Sequence, residues 1–324
     1  MGTERNRLHV VVTCSNRKRS ATDFVSLHEV RREGDSQRQV LARWKKSLER
    51  KRLSRLAARQ LYQGEHWSKV LDLESAARET GFRPKIWVCS AGYGLIAIDE
   101  PLVPYAATFA PGHDDSVCAD AEEAQKWWQG LTDWQLGNGP RSLKDLVEAE
   151  PGARFLFILS GTYLQAVEDD LADALCASKK QARCVILSGA PSKNPSLVRN
   201  LINLDSKLLH TLGGTRGSLA TRVADWVVRN CEPREFSESK IRESIDALTA
   251  KQPARKVYNR QPLSDEEVQD FIRRQRAEDK SLKASRALRL LRDQGQACEQ
   301  KRFGALFREI VDGEKKSVQH SLPF

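Results

Sequence analysis

The stretch Leu8-His9-Val10-Val11-Val12-Thr13-Cys14-Ser15-Asn16 decides how this chain is read. A run of mostly β-branched apolar residues that stops at a thiol, a hydroxyl and an amide has the pattern of a buried strand ending in a polar loop. Three further runs of the same kind occupy residues 85–89, 154–159 and 183–187. Helical periodicity fills the intervals: a helix or helix pair over 37–62, then 67–79, 119–134, 142–148, 163–178 and 218–230. Strands alternating with helices predict an α/β fold, a mostly parallel sheet with helices on both faces. In such sheets ligands bind beyond the carboxyl ends of the strands.

Each expected strand runs into small, hydrogen-bonding residues: Cys14-Ser15-Asn16, Ser90-Ala91-Gly92-Tyr93-Gly94, Ser160-Gly161-Thr162-Tyr163 and Ser188-Gly189-Ala190. Ordinary strand-to-helix turns use the same residues, but their repetition at strand after strand predicts one shared pocket. The stretch from Leu212 to Ser218, rich in glycine and carrying Arg216, precedes a helix whose free N–H groups suit an anion. Gly213-Gly214 lacks a following phosphate-loop Lys, which argues against nucleoside triphosphate hydrolysis.

The 324 residues carry a net charge of +10, and the charge is uneven. From Glu4 to Arg59 there are 16 Lys or Arg against 6 Asp or Glu, and from Ile272 to Lys316 there are 13 against 7, which leaves the middle mildly acidic. Two basic ends around such a body are the footprint of a phosphate-backbone binder. The expected nucleic-acid contacts are Arg17, Arg19, Lys45, Lys46, Arg50, Lys51 and Arg52 near the start, with Lys301, Arg302 and Arg308 near the end. No apolar run approaches the ~20 residues a membrane span needs, so no membrane partner and a cytoplasmic location are expected. The seven cysteines (14, 89, 118, 176, 184, 231 and 298) form no C-x-x-C pair, so neither a disulfide framework nor a metal site is expected, and no cofactor is called for. His113-Asp114-Asp115 reads as a solvated loop, and Trp127-Trp128 and Trp134 as helix packing.

The expected organisation is an α/β domain over 1–231 with a basic helical insertion at about 22–60 and a second at about 119–150. A linker with one modest helix near 239–249 spans 232–262, and a helical unit spans 263–324. Ser264 as N-cap with Glu267 three residues on starts that unit. Two later helices about Gly295, with Lys301, Arg302 and Arg308 on the second, have the pattern of a helix-turn-helix element; a helix pair for protein contacts shares it.

A thiol at a strand end, followed by Arg17, Lys18 and Arg19, is a candidate nucleophile because nearby cations favour the thiolate; a buried thiol beside a basic turn is the plain alternative. Val12-Thr13-Cys14-Ser15-Asn16-Arg17-Lys18, Leu61-Tyr62 before a helix, Ser90 to Leu95 followed by Asp99 and Pro104-Tyr105, and Ser160-Gly161-Thr162-Tyr163 together resemble the YaaA-like superfamily of α/β domains. They are also similar to the core domain of archaeosine synthase, in which a Cys is followed four residues later by a Lys, as Cys14 is by Lys18. The resemblance spans roughly residues 8–231. It departs at Arg19-Ser20, where that motif continues with Pro and Tyr, and it leaves out the basic insertion and the C-terminal unit.

Archaeosine synthase acts on the nitrile of 7-cyano-7-deazaguanine in tRNA, and a bacterial relative in deazapurine DNA-modification systems turns that nitrile into the amide in DNA. The resemblance therefore implies nitrile hydration on a modified base, in DNA rather than tRNA, in co-operation with other deazapurine-modification proteins. Cys14 would form a thioimidate, Lys18 or Tyr93 would protonate the nitrogen, and Asp99 would orient water. Ser15, Asn16, Ser90, Gly92, Gly94, Ser160, Gly161, Tyr163 and Arg216 would line the substrate site, and Tyr93, Tyr105 or Phe109 would stack on the flipped base. Two other readings share the sequence. One is a non-catalytic DNA-binding stress-protection protein; the other is a base-exchange or glycosidase enzyme built on Asp99 and Glu100.

Overall fold

The computed structural model describes residues 6–19, 24–49, 54–134, 139–253 and 259–319, with side chains through 314 in the last stretch. Arg50, Lys51 and Arg52, expected nucleic-acid contacts, lie outside the described residues. The chain forms two compact units, Met1–Pro253 and Ala254–Phe324.

The first unit is built on six strands: β1 (Arg7–Thr13), β2 (Arg83–Ser90), β3 (Gly94–Ala97), β4 (Arg154–Ile158), β5 (Cys184–Ser188) and β6 (Leu201–Asn203). Their order is β6-β5-β4-β1-β2-β3, parallel except where β3 turns back against β2. Consecutive residues of a strand point to opposite faces, yet Val10, Val11 and Val12 are all fully buried, so both faces are covered. Each such side chain contributes roughly 1.5–3 kcal/mol by leaving water. The α/β expectation therefore holds, and all four expected strands form.

The register fixes where the loops emerge. Thr13 lies opposite Cys89, and Val12 lies opposite Ile158. Cys14, Ser90 and the residues after Ile158 thus leave the sheet at one edge. After β2 and β3 the chain crosses β1 to lay down β4, so the strand order reverses between β1 and β4. That reversal opens a crevice outside the strand ends.

The long helices are α1 (Gln37–Leu48), α2 (Glu65–Glu79), α3 (Ala121–Thr132), α4 (Leu143–Ala149), α5 (Gly161–Ala166), α6 (Glu168–Ala177), α7 (Leu219–Asn230) and α8 (Glu238–Ala250). Asp120 caps α3 by accepting from Glu123 N, and Ser142 caps α4 by accepting from Asp145 N. α2 and α7 pack together, as do α4 with α6 and α3 with α5. Trp127 and Trp128 of α3 are fully buried, as helical spacing suggests.

Four expectations need correction. The helix read over 37–62 stops at Leu48; further on, Leu56–Ala57 pairs with Pro101–Leu102 and a single turn covers Ala58–Leu61. The helix read over 163–178 breaks at Val167 into α5 and α6. Gly94 and Leu95 belong to β3 rather than to a loop, because Ser90 pairs with Gly94 across a three-residue turn that Gly94 closes at φ +75. Finally, the stretch read as a linker holds α8, whose Ile241 and Ile245 join the sheet's core together with Phe236, 5.9 Å from Phe82. Apolar spacing on α8 outweighs the surrounding prolines, so the first unit runs to Pro253.

The second unit has its own core around Val268, Phe271, Ile272, Leu288, Leu291, Phe303 and Phe307. It comprises α9 (Asp265–Glu278), α10 (Ala284–Asp293) and α11 (Gln300–Gln319), with Gln261–Pro262 paired to Gln296–Ala297. Ser264 and Glu267 form the expected capping box.

Candidate functional site

Cys14 leaves β1 with its backbone N–H donating to Cys89 O at 3.0 Å, which fixes it beside β2. Its side chain is 6% exposed and meets a cluster of phenols. Sγ lies 2.9 Å from Tyr163 Oη and 3.7 Å from Tyr105 Oη. Tyr105 Oη in turn lies 2.9 Å from Tyr62 Oη and 2.7 Å from Ser90 Oγ. The Cys14–Tyr163 contact spans the point where strand order reverses. Four of the chain's five tyrosines gather here, Tyr93 being the fourth, 5.2 Å from the Tyr105 ring; Tyr258 lies outside the described residues.

Counting donors orients this cluster. Ser90 Oγ already accepts from Gly92 N at 3.2 Å and Tyr93 N at 3.1 Å, so its own proton goes to Tyr105 Oη. With Tyr62 as a second donor to that oxygen, the Tyr105 O–H points at Cys14 Sγ. Burial pushes the phenols of Tyr62, Tyr105 and Tyr163 well above their ordinary range, and negative charge on Cys14 would push them further. All three remain proton donors at neutral pH.

Lys18 forms a bridge with Tyr62 and places Nζ 4.3 Å from the Tyr105 ring centre and 5.8 Å from that of Tyr62. Burial lowers its ammonium from the ordinary lysine range, while Cys14 and Asp115 oppose that shift. Lys18 thus makes its contacts with the Tyr105 and Tyr62 rings rather than with Cys14 itself. Arg17 and Arg19 are exposed, and so is Asn16. Ser15 turns away, donating to Gln63 O at 2.7 Å.

Two cavities flank the cluster. A cavity of about 470 Å³ lies at the carboxyl edge, lined by Thr13, His66, Ser160, Gly161, Gly189, Ala190, Arg216 and Thr221, among others. It brings together two of the predicted strand-end loops, the end of β1 and the glycine-rich stretch, in the size range of small-molecule sites. A smaller one, about 250 Å³, is lined by Asn16, Lys18, Ala106, Ala107, Thr108, His113, Asp114 and Asp115. Cys14 borders the larger cavity only through Thr13, its neighbour in sequence, and the Ser90–Gly94 turn lines neither.

Several expected roles do not survive this geometry. Asp99 follows β3 back toward the amino edge of the sheet, roughly 13 Å from the level of Cys14 at ~3.3 Å per strand residue. There it is bound to Arg59, which holds its carboxyl below the usual range, and its side chain is 69% exposed. It cannot serve water at the thiol. Tyr93 is not a free donor, since its Oη donates to Val103 O at 3.0 Å and its ring stacks on Trp134 at 5.9 Å. Gly92 is there for a neighbouring ring, not for a base: a Cβ would sit 2.5 Å from Tyr105 Cε2. At Gly161 a Cβ would meet Ala190 Cβ at 2.8 Å. Tyr105 and Phe109 are buried, and Phe109 sets its ring edge-on to Tyr163 at 5.1 Å, so neither is a free stacking surface.

Among the expected nucleic-acid contacts, Lys45 is spoken for by Gly130 O at 2.6 Å, and Arg302 by Asp265 Oδ1 at 2.5 Å and Leu263 O at 3.0 Å. Lys46, Lys301 and Arg308 are exposed. No helix among the described residues is long and apolar enough to cross a membrane, and none of them form a cluster able to hold a metal ion.

Two residues carry roles that the sequence does not signal. Tyr62 stands there only as part of a motif, yet it is bonded to Tyr105. His66, in the first turn of α2, lies 3.0 Å from Thr13 O through Nε2 and 2.7 Å from Thr221 Oγ1 through Nδ1. A carbonyl only accepts, so the proton is on Nε2, and the ring ties β1, α2 and α7 together beside the larger cavity. Burial lowers its pKa. A lone histidine with no periodic partner offers no sequence signal for such a role. The chain matches no protein-family model, no curated protein and no solved structure.

Proposed function

We propose that the protein modifies a base in nucleic acid, hydrating the nitrile of 7-cyano-7-deazaguanine in DNA to the amide with Cys14 as the nucleophile. The observation that carries this reading is the thiol at the sheet's reversal point with two phenols, Tyr163 and Tyr105, directed at it. A nitrile carbon resists water but accepts sulfur, and adding sulfur to it requires a proton donor at the nitrogen.

In the first step Sγ bonds to the nitrile carbon as one C–N π bond breaks, and Tyr163 Oη gives its proton to the nitrogen. The thiol proton restores the phenol through the hydrogen-bonded cluster, so the net change is addition of S–H across the triple bond. Water then adds to the thioimidate carbon, one of its protons going to the nitrogen and the other to the sulfur as the C–S bond breaks and the amide carbonyl forms. One water is consumed, and neither oxidant nor metal is needed. Cys14 is only 6% exposed, so a substrate reaches Sγ by displacing side chains that cover it while Tyr163 Oη stays in place as the donor. Arg216 at the rim of the larger cavity and the amides that start α7 suit a backbone phosphate there. The basic ends of the chain and the helices about Gly295, which we take as a helix-turn-helix-like element, support nucleic acid as the carrier of the base.

The test is to incubate the protein with DNA containing 7-cyano-7-deazaguanine, digest to nucleosides, and weigh the modified nucleoside. A gain of one water is expected with the unaltered chain and none with Cys14→Ala. Full conversion by Cys14→Ala would overturn the covalent route. Salt-sensitive DNA binding without any change of the base would favour the stress-protection reading.

A further inference from the structure

Between Lys280 and Arg292 every third residue is a cation (Lys280, Lys283, Arg286, Arg289 and Arg292), and no carboxylate interrupts the series. On a helix with 3.6 residues per turn, a step of three advances about 4.5 Å and turns back by about 60°. Lys283, at the start of α10, and Arg286 and Arg289 within it therefore occupy one sector. All three are exposed, while Ala287, Leu288 and Leu291 on the opposite side are buried in the second unit's core. Arg292 has turned out of the row: it is half-buried and donates to Cys298 O at 3.3 Å.

The row differs from three other arginines of this unit. Arg273 is paired with Asp270 at 2.8 Å, Arg276 with Glu314 at 2.6 Å, and Arg302 with Asp265 at 2.5 Å. Lys283, Arg286 and Arg289 make no ion pair and no side-chain hydrogen bond among the described residues. Asp279, close by, accepts instead from Ser281 N and Oγ at 2.9 and 2.6 Å. Like charges three apart on a helix cost a few tenths of a kcal/mol, so this row does nothing for the fold by itself. Its complement is a regular row of anions.

We infer that this face of α10, rather than α11, makes the principal contacts of the second unit with the phosphates of a nucleic-acid backbone. The inference rests on the nucleic-acid reading above and relocates its contacts, because on α11 Arg302 is bound inside the unit and, among the side chains described, only Lys301 and Arg308 remain as exposed cations. Phosphate contacts of this kind hold the strand without reading its sequence.

The test uses the full chain and a short unmodified DNA duplex, with affinity measured over a series of salt concentrations. K283A/R286A/R289A is expected to bind about tenfold or more weakly, and its log–log salt dependence to be shallower by about 2.7, the counterions of three phosphates. K283R/R286K/R289K should bind like the unaltered chain, and K301A/R308A should change affinity by less than about threefold. Melting curves show whether each variant is folded. If the α10 triple variant keeps wild-type affinity and salt slope, or K301A/R308A carries the loss, the assignment to α10 is overturned and nucleic-acid binding stands. No salt-dependent binding by the unaltered chain would overturn both readings.

Discussion

The two ends of β1 solve opposite problems with neighbouring residues. At the amino end Arg7, His9, Lys85 and Glu150 meet: Arg7 and Lys85 reach Glu150 Oε1 at 2.7 and 3.1 Å. His9 accepts from Trp87 Nε1 at 2.9 Å through Nδ1, so its proton is on Nε2, which faces Glu150 Oε2 at 3.3 Å. Burial pushes this imidazole down to about 4, even though Glu150 pulls the other way. At the carboxyl end the thiol sits among phenols and a serine, and among the described residues Lys18 is the charged group that meets the rings. The cations at the amino end share the Glu150 carboxylate, which ties β1 and β2 to the end of α4. At the carboxyl end the hydroxyls of Tyr163 and Tyr105 converge on the sulfur, the arrangement on which the proposed reaction rests.

The largest expected effect separates the ends outright. Tyr163→Phe removes the hydroxyl 2.9 Å from Sγ while keeping the ring that packs on Phe109. Loss of a positioned proton donor lowers rates by about 10²- to 10⁴-fold. Nitrile conversion in DNA, measured in single turnover, should fall into that range, with the melting temperature nearly unchanged. Conversion at the wild-type rate would exclude Tyr163 as the donor and leave Tyr105 to fill that role.

A second effect belongs to the amino end alone. His9 is neutral when folded, with a pKa near 4 against about 6.5 when unfolded. The unfolded chain therefore binds a proton that the folded one refuses as pH falls below 6.5. The stabilisation is complete above that value and is lost on the way down to about 4, by roughly 3 kcal/mol. His66, also lowered by burial, acts in the same direction. Denaturant melts between pH 7 and 4 should show this slope, and His9→Gln should flatten most of it. An unchanged slope in that variant would mean that the acid sensitivity arises elsewhere.

The same contrast governs how much of the molecule is legible in its amino-acid sequence. The central strands of the sheet are legible because each is buried on both faces and so reads as an unbroken apolar run. β3 is not, because an edge strand of four residues entered through a glycine turn looks like a loop. The thiol is legible as the first polar group after β1. Its partners are not, since Tyr62, Tyr105 and Tyr163 come from segments up to 101 residues apart and nothing local records that their hydroxyls meet. Asp99 misleads for the same reason: it follows the Ser90–Leu95 motif in sequence, but β3 runs antiparallel and carries it to the wrong edge.

The smallest effect tests whether the amino end is as purely structural as its charge pairing suggests. Glu150→Gln keeps an acceptor for Arg7 and removes the charge shared by Arg7, Lys85 and His9; the carboxylate is a quarter exposed, so the loss should be about 1 kcal/mol at neutral pH. Without the carboxylate nothing opposes the desolvation of His9, so its folded pKa falls further and the acid loss of stability extends below pH 4. Nitrile conversion should stay within about twofold of the unaltered chain, because β1 separates this cluster from Cys14 by roughly 16 Å at ~3.3 Å per residue. A melt that shifts while conversion holds keeps the two ends distinct. Conversion that drops with an unshifted melt would show instead that the charge at the amino end acts on the thiol along the strand.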